Sequence, residues 1–233
     1  MYKVDEVSNQ RKLNDNNMKE KSGIYHSVYI KKDGEYISLN TDTINFCEKW
    51  IKPVHPNNWD WTIRDFSKPE NDPDINEARV IRDLLLKDLK KTEDSEIDLT
   101  GLTNGDAIIA FMDKESPYEQ MNMEELAYAL KVELEHGKIK DANVTSNHPF
   151  LTAMIVLAHM SESITYYKRL KIMETEAEIF ELTRKLDGKV FFGKEKLKAS
   201  IESAEKDLAK AKMDLSKRLD SMKDIPVLKE IGD

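Results

Sequence analysis

The clearest helical pattern of the chain lies in residues 194–222, KEKLKASIESAEKDLAKAKMDLSKRLDSM. Its apolar residues recur at alternating spacings of four and three, and the remaining positions are mainly Lys, Glu, Asp and Ser. This heptad pattern predicts a long helix with one apolar seam, which slips near Arg218. The seam residues are Leu197, Ile201, Ala204, Leu208, Ala211 and Leu215.

A second helix is predicted just before it, from about Thr165 to Leu186. Three-four spacing assigns its packing face to Leu170, Met173, Ala177 and Phe180. The segment DGKVFFG joins the two helices, so the simplest arrangement is an antiparallel coiled helical hairpin. The apolar residues of this turn either form a contact surface at the tip or pack the turn itself; they are Val190, Phe191 and Phe192.

Three further helices are predicted in the middle of the chain. One begins at Asp74, a good N-cap, and Glu77 three residues later completes a capping box. A second runs from Met123 to His136 and ends at a Gly137 C-cap. A third begins near Pro149, a favoured first-turn residue, and reaches about Ser163. Between the first two, 106–113 is a short apolar segment, helix or strand.

The N-terminal half is less regular. Residues 1–22 form a polar arm, and alternating runs around Asp33-Gly34 predict a β-hairpin. A short helix is expected at 41–51, with Cys47 as a buried structural thiol. The following Pro- and Asn-rich segment carries Trp59 and Trp61, which anchor the loop or, less favourably, stack on bases or sugars.

The predicted fold class is therefore mainly α with a small β-hairpin region (α+β). Three parts are expected: the flexible polar arm at 1–22, a small α+β region with long irregular loops at 23–120, and a helical bundle with the coiled hairpin at 121–233. The C-terminal part carries the long antiparallel hairpin.

Composition narrows the functional classes. The chain has 233 residues, a formal net charge of −8 and 34% charged residues. This acidity makes nucleic acid an unlikely partner, since nucleic-acid binding needs a basic footprint. One cysteine excludes an internal disulfide, and neither a signal peptide nor a membrane span is expected.

The strongest chemical signal is a pair of Glu–His motifs. Glu133 precedes His136 by three residues, and His159 precedes Glu162 by three residues. Residues three apart share a helix face, and di-iron bundles use Glu-x-x-His in this way. Two carboxylates and two imidazoles would suit Zn²⁺, Mn²⁺ or Fe²⁺. Further carboxylates are available at Glu124, Glu125, Glu135 and Glu174.

A plain antiparallel arrangement would keep the two pairs apart. His159 lies about 15 Å along its helix from the start near Pro149. The pairs meet if the helices cross or if the loop at 137–148 carries the chain back. Otherwise His136 is a helix C-terminal histidine, His159 a core histidine bonded to Glu162, and metal is absent. His148 reads as a surface cap residue.

The run VELEHG…HPFLTAMIVLAHMSESITYYKRLKIMETE resembles an uncharacterised family of small proteins and domains common in tailed bacteriophages and bacteria. The pattern comprises Glu133, Glu135, His136, Ala158, His159, Glu162, Tyr166, Tyr167, Leu170, Met173 and Glu174. It covers about 123–176. This chain has Ile164-Thr165 where the family usually has a proline before the tyrosines, and its interhelix loop is longer. The resemblance implies a phage-type origin and a Glu–His set that acts together.

The expected function is a non-enzymatic structural or interaction protein of phage or virus type. It would contact protein subunits, in a virion capsid or accessory layer or in a homo-oligomer, through its arm and hairpin. The expected location is the virion or the host cytoplasm. One alternative is a metal-dependent enzyme with Glu133, His136, His159 and Glu162 as ligands. Another is a phage accessory protein that binds a host factor.

Overall fold

The computed structural model describes residues 25–32, 35–90, 110–116, 119–138, 145–188 and 193–225. Its helices confirm the mainly helical class predicted from the sequence. The elements are β1 (Tyr25–Lys32), β2 (Glu35–Asp42), α1 (Thr43–Phe46), α2 (Ile75–Lys90), α3 (Met123–Leu134), α4 (Pro149–Glu162), α5 (Tyr166–Asp187) and α6 (Lys194–Ser221). Residues 110–112 are also helical. The predicted arm at 1–22 and the apolar tip at 190–192 lie outside the described residues.

The two strands pair antiparallel, with Tyr25 opposite Asp42 and Lys32 opposite Glu35. The predicted Asp33-Gly34 turn lies outside the described residues, so the predicted β-hairpin stays a prediction. Within the range 41–51, where a short helix capped by Thr41 or Asp42 is expected, these two residues end β2 and the helix follows them. The helix α1 starts at Thr43 and continues as a π-helical segment, Cys47–Ile51.

The capping box that starts α2 is confirmed. Asp74 Oδ1 accepts the backbone N–H groups of Asn76 and Glu77, at 2.7 and 2.8 Å. In return the Asp74 N–H donates to Glu77 Oε2 at 3.1 Å. These bonds satisfy donors that the first helical turn leaves without a partner, which fixes where α2 begins.

The helix α3 has its own cap and a different end from the one predicted. Asn122 Oδ1 accepts the N–H groups of Glu124 and Glu125. The predicted end at a Gly137 C-cap is wrong, because the chain continues as a 3₁₀ turn, Glu135–Lys138, that includes this glycine. Such a tightening of the last turn is a common way to satisfy the final carbonyl groups.

The chain forms two compact units, the first ending at Ser161 and the second running from Glu162 to Pro226. In the first unit, α2 packs against α3, and Lys131 Nζ lies 2.7 Å from Asp72 Oδ2. The largest apolar side chains that are fully buried in this unit belong to Ile51, Trp61, Ile81, Leu85, Met112, Leu126, Leu130, Leu134 and Val156.

In the second unit, α5 packs along α6 as the predicted helical hairpin. Lys212 Nζ of α6 lies 2.7 Å from Glu176 Oε1 of α5. The seam predicted for α6 is confirmed, since Ala204 is buried and the other seam residues are half-buried. Gly193, with φ of 85°, precedes α6 in the left-handed region that glycine tolerates best.

The packing face predicted for α5 is wrong for three of its four residues, whereas Leu170 is half-buried. Met173, Ala177 and Phe180 are exposed, whereas Thr175 is buried. The less exposed face also repeats at three-four spacing, and it is formed by Ile172, Thr175, Ile179, Leu182 and Leu186. The helix α5 therefore carries two apolar stripes, and the one that faces α6 is not the one expected.

Candidate functional site

Glu133 is the centre of the polar cluster that the sequence predicted. It lies in the last turn of α3, and its side chain is buried. His136 follows in the 3₁₀ turn and is exposed, whereas His159 lies in the last turn of α4 and is half-buried. The first unit therefore combines one buried carboxylate with two imidazoles that solvent reaches.

Each imidazole faces a different oxygen of Glu133. The distance from His136 Nε2 to Glu133 Oε2 is 3.8 Å, and the distance from His159 Nε2 to Glu133 Oε1 is also 3.8 Å. These distances exceed those of direct hydrogen bonds. Protonation of either imidazole would create an ion pair with the buried carboxylate.

Glu162, the fourth predicted ligand, does not belong to the first unit, which contains the other three. Glu162 ends α4, has an exposed side chain and is the first residue of the second unit. Within the described ranges, no group of three or more His, Cys, Asp or Glu side chains has the arrangement that would hold a metal ion. Zn²⁺ sites need ligand atoms about 2.0–2.3 Å from the metal. Metal binding by Glu133, His136, His159 and Glu162 therefore stays a prediction.

The additional carboxylates do not extend the cluster. Glu124 and Glu125 occupy the first turn of α3, about 12 Å along the helix from Glu133. Glu135 is exposed in the 3₁₀ turn, and Glu174 is exposed in the second unit. The chemistry available at Glu133 is therefore that of one carboxylate and two imidazoles, which can exchange protons or form ion pairs.

A second polar cluster, which includes a residue the sequence did not flag, is fully buried. Arg64 NH1 and NH2 donate to Glu77 Oε1 and Oε2, at 2.6 and 3.1 Å. Trp61 Nε1 donates to the same Oε1 at 3.0 Å, and Arg64 NH2 also donates to the Asp72 carbonyl. The Trp61 anchor agrees with the interpretation of the tryptophans as loop anchors. The sequence feature that could have indicated a buried Arg64 is its position in the run WTIRDF, between apolar residues.

This cluster holds the anchored loop, residues 52–74, against the start of α2. The loop also borders an open groove of about 640 Å³ lined by Pro56, Asn57, Asn58, Trp59, Asp60, Ile63 and Arg64. The guanidinium of Arg64 is already paired with Glu77, so it offers this groove no uncompensated charge. The cluster stabilises the loop rather than presenting a reactive group.

Cys47 has the properties of a structural thiol. It is buried and unoxidised in the π-helical segment. Burial raises the pKa of the Cys47 thiol to about 12, and the nearby carboxylates of Asp60 and Glu77 add to the shift. The Trp61 backbone hydrogen bond and Arg64 oppose it. A thiol with such a pKa is almost fully protonated at neutral pH and is a poor nucleophile.

The prediction that His148 is a surface residue is wrong. His148 is buried, with ring centroids 6.4 Å from Phe46 and 6.2 Å from Phe150. Its Nδ1 accepts the Phe150 N–H at 3.1 Å, so the expected capping role is present. Apolar neighbours from α1 and α4 explain the burial. His26 lies in β1, and His55 Nδ1 contacts the Asn57 carbonyl in the anchored loop.

The fold and these clusters define a mainly helical protein with one polar Glu–His cluster and a separate helical hairpin. Residues 77–176 match a family described as "Protein of unknown function (DUF5661)". The matched range includes the 123–176 region of the resemblance, but the residue pattern and the phage link stay predictions. The chain matches no curated protein and no solved structure. Among the helices that the structure describes, none is long and apolar enough to cross a membrane.

Proposed function

We propose that this chain is a non-enzymatic interaction protein that contacts a protein partner through its C-terminal hairpin, α5 and α6. The observation that carries the proposal is the outer stripe of α5, which consists of Met173, Ala177 and Phe180. Met173 is 60% exposed and Phe180 is 62% exposed. Apolar residues so exposed at helical spacing form a surface suited to a protein contact.

The two faces of α5 support this interpretation. Successive residues turn about 100° around a helix, so the outer stripe lies nearly opposite Thr175 and Leu182. A helix with one partner needs one apolar face, and the polar remainder faces water. A second apolar stripe on α5 therefore indicates a second surface to cover. Arg184 stacks at 5.8 Å on the Phe180 ring but leaves most of it exposed.

The setting that we propose is a phage or virus particle, in which neighbouring subunits of the capsid or its accessory layer would meet the hairpin. Its support is the resemblance of 123–176 to domains common in tailed phages. The same surface would equally serve an accessory protein that binds a host factor in the host cytoplasm. Both settings use the outer stripe in the same way and differ only in the identity of the partner.

Site-specific photocrosslinking tests the proposal. A benzophenone amino acid replaces Phe180 in one preparation and Met213 in a matched control. Met213 is 50% exposed on α6 and does not belong to the outer stripe. Each protein is irradiated in cells that produce the native assembly. A discrete crosslinked protein from position 180 only is the expected result. Equal crosslinking from both positions, or none from either, would contradict it.

Metal binding is the second candidate function, because α3 and α4 bring two imidazoles to opposite oxygens of Glu133. Such a site would support a metal-dependent enzyme. The test is metal content by mass spectrometry for the wild type, the double variant H136A/H159A and the control H55A. About one Zn²⁺, Mn²⁺ or Fe²⁺ per chain, lost only in the double variant, would establish the site. No metal in any of them would leave a polar network.

A further inference from the structure

Within residues 172–183 the charge around the outer stripe is acidic, and two basic residues outside this stretch, Arg184 and Lys212, each lie beside one of its glutamates. Residues 172–183, IMETEAEIFELT, contain four glutamates and no lysine or arginine. All four glutamates are exposed: Glu174, Glu176, Glu178 and Glu181. From the helical spacing, Glu174 and Glu181 lie along one border of the stripe and Glu176 along the other. The apolar stripe is therefore bordered on both sides by carboxylates.

We infer that the partner presents a basic amphipathic helix to this face, with apolar residues on the stripe and Lys or Arg beside the glutamates. This inference rests on the proposed function and adds the chemistry of the partner. A helix laid in such a surface is recognised through apolar anchors at i, i+4 and i+7 and through flanking charges of opposite sign.

The dimensions set the length of the contact. From Met173 to Phe180 the axial distance is about 10 Å, or two helical turns. Two turns of a partner helix bring two or three apolar side chains and a similar number of basic ones. Glu176 is already paired with Lys212 at 2.7 Å. Glu174 and Glu181 are thus the carboxylates expected to give most of the charge selectivity, although Arg184 lies 3.3 Å from Glu181.

A second copy of the same face fits less well. Two copies of residues 172–183 would bring glutamates against glutamates, and the nearby cations Arg184 and Lys212 are each already paired with a glutamate of their own chain. Like charges placed opposite each other in an interface disfavour that pairing. The charge pattern therefore points to a different chain, and one whose helix is basic.

Fluorescence anisotropy with two labelled synthetic peptides tests the inference. One repeats Leu and Lys with leucines at i, i+3, i+4 and i+7, and the other has Glu in place of every Lys. The wild type is expected to bind the Lys peptide at least about tenfold more tightly than the Glu peptide. The variant M173S/F180S should lose this binding, whereas M213S should retain it.

A charge control separates local recognition from the overall acidity of the chain. E174K/E181K should abolish the preference for the Lys peptide, while E202K/E205K should keep it. Glu202 and Glu205 are exposed on α6, so the second variant makes the same change in net charge away from the stripe. Preference that survives E174K/E181K, or that E202K/E205K also abolishes, would overturn the inference.

The outcomes also separate this inference from the proposed function. A crosslink from position 180 together with no preference for the Lys peptide would overturn the basic-helix partner and leave the interaction surface standing. No crosslink and no peptide binding would overturn both. A dimer in sedimentation velocity that M173S/F180S dissociates would assign the stripe to a second copy and overturn the inference.

Discussion

The anchored loop at 52–74 and the C-terminal hairpin are stabilised in opposite ways. The loop has little regular structure, yet it buries a tryptophan and an arginine, both hydrogen-bonded to the buried Glu77 at the start of α2. The hairpin is almost entirely helical, yet among its described residues from 168 to 225 only Thr175 and Ala204 are buried. Regular secondary structure and burial are therefore separate properties. Substitutions in the loop should act through buried groups, and most substitutions in the hairpin should act through surfaces.

The largest effect is expected at Glu77. The variant E77Q keeps the shape of the side chain but leaves the Arg64 guanidinium buried without its carboxylate. Removal of one partner from a buried ion pair costs about 3–5 kcal/mol of unfolding free energy. Urea unfolding followed by tryptophan fluorescence measures this cost, and E70Q, at an exposed glutamate of the anchored loop, is the control.

The double variant R64M/E77L sharpens this prediction. If the cost of E77Q comes from an uncompensated charge, removal of both charges should recover a large part of the lost stability. If the unfolding free energy of E77Q lies within about 1 kcal/mol of the wild-type value, the buried ion pair contributes little to stability. The claim that buried groups stabilise the anchored loop would then be wrong.

A smaller effect is expected at the one buried seam position of α6. The variant A204E places a longer, charged side chain where Ala204 packs against the other helix, with an expected cost of about 1–3 kcal/mol. Ala209 is exposed on the same helix, so A209E is a matched control for helix propensity and charge. Amide hydrogen exchange should accelerate along α5 and α6 in A204E and should be unchanged in A209E.

The contrast between the two regions explains what sequence reasoning could predict. Start and stop signals are local, and they placed the start of α2 and both ends of α4, α5 and α6 to within one or two residues. The capping box at Asp74 and the α6 seam were likewise predicted, because each depends on residues close together along one helix. The pairing of Trp61 and Arg64 with Glu77 was not, since it joins groups 13 and 16 residues apart across an irregular loop.

The α5 face shows a different kind of limit. Two stripes on this helix have the same three-four spacing, and spacing alone cannot say which one packs. The stripe that includes Thr175 has a polar residue where the stripe with Met173 and Phe180 has none, yet it is the less exposed of the two. His148 shows the same limit, since its neighbour Phe46 lies about a hundred residues away in the sequence. The convergence of His159 on Glu133 was recognised only as an option, because it depends on how α3 and α4 cross.

Cys47 in the buried part of the molecule is expected to make the unfolding free energy depend on pH. Because burial holds the pKa of the folded thiol at about 12, above the ordinary value of 9.0, the unfolded chain loses this proton first as the pH rises. The stabilisation is complete below pH 9 and is lost as the pH rises toward 12. Between pH 8 and pH 10 the wild type should lose about 1 kcal/mol more than C47A. If the unfolding free energy of the wild type changes with pH in the same way as that of C47A, this assignment is wrong.

The smallest change in stability is expected for a substitution of Phe180, which lies on the outer stripe. Its neighbour Ile179 belongs to the less exposed face of α5. The variant F180S removes a ring that is 62% exposed, and Ser and Phe have similar helix propensities, so the change in unfolding free energy should stay within about 0.5 kcal/mol. Ile179 is half-buried on the face that packs on α6, and I179S should cost about 1 kcal/mol or more. Thermal unfolding by circular dichroism compares the two variants.

Equal losses of stability would mean that Phe180 helps to hold the hairpin together, and its exposure would then no longer argue for a partner. A loss confined to I179S would leave the Phe180 ring without a role in folding, so that its place on the surface has to be explained by what it contacts.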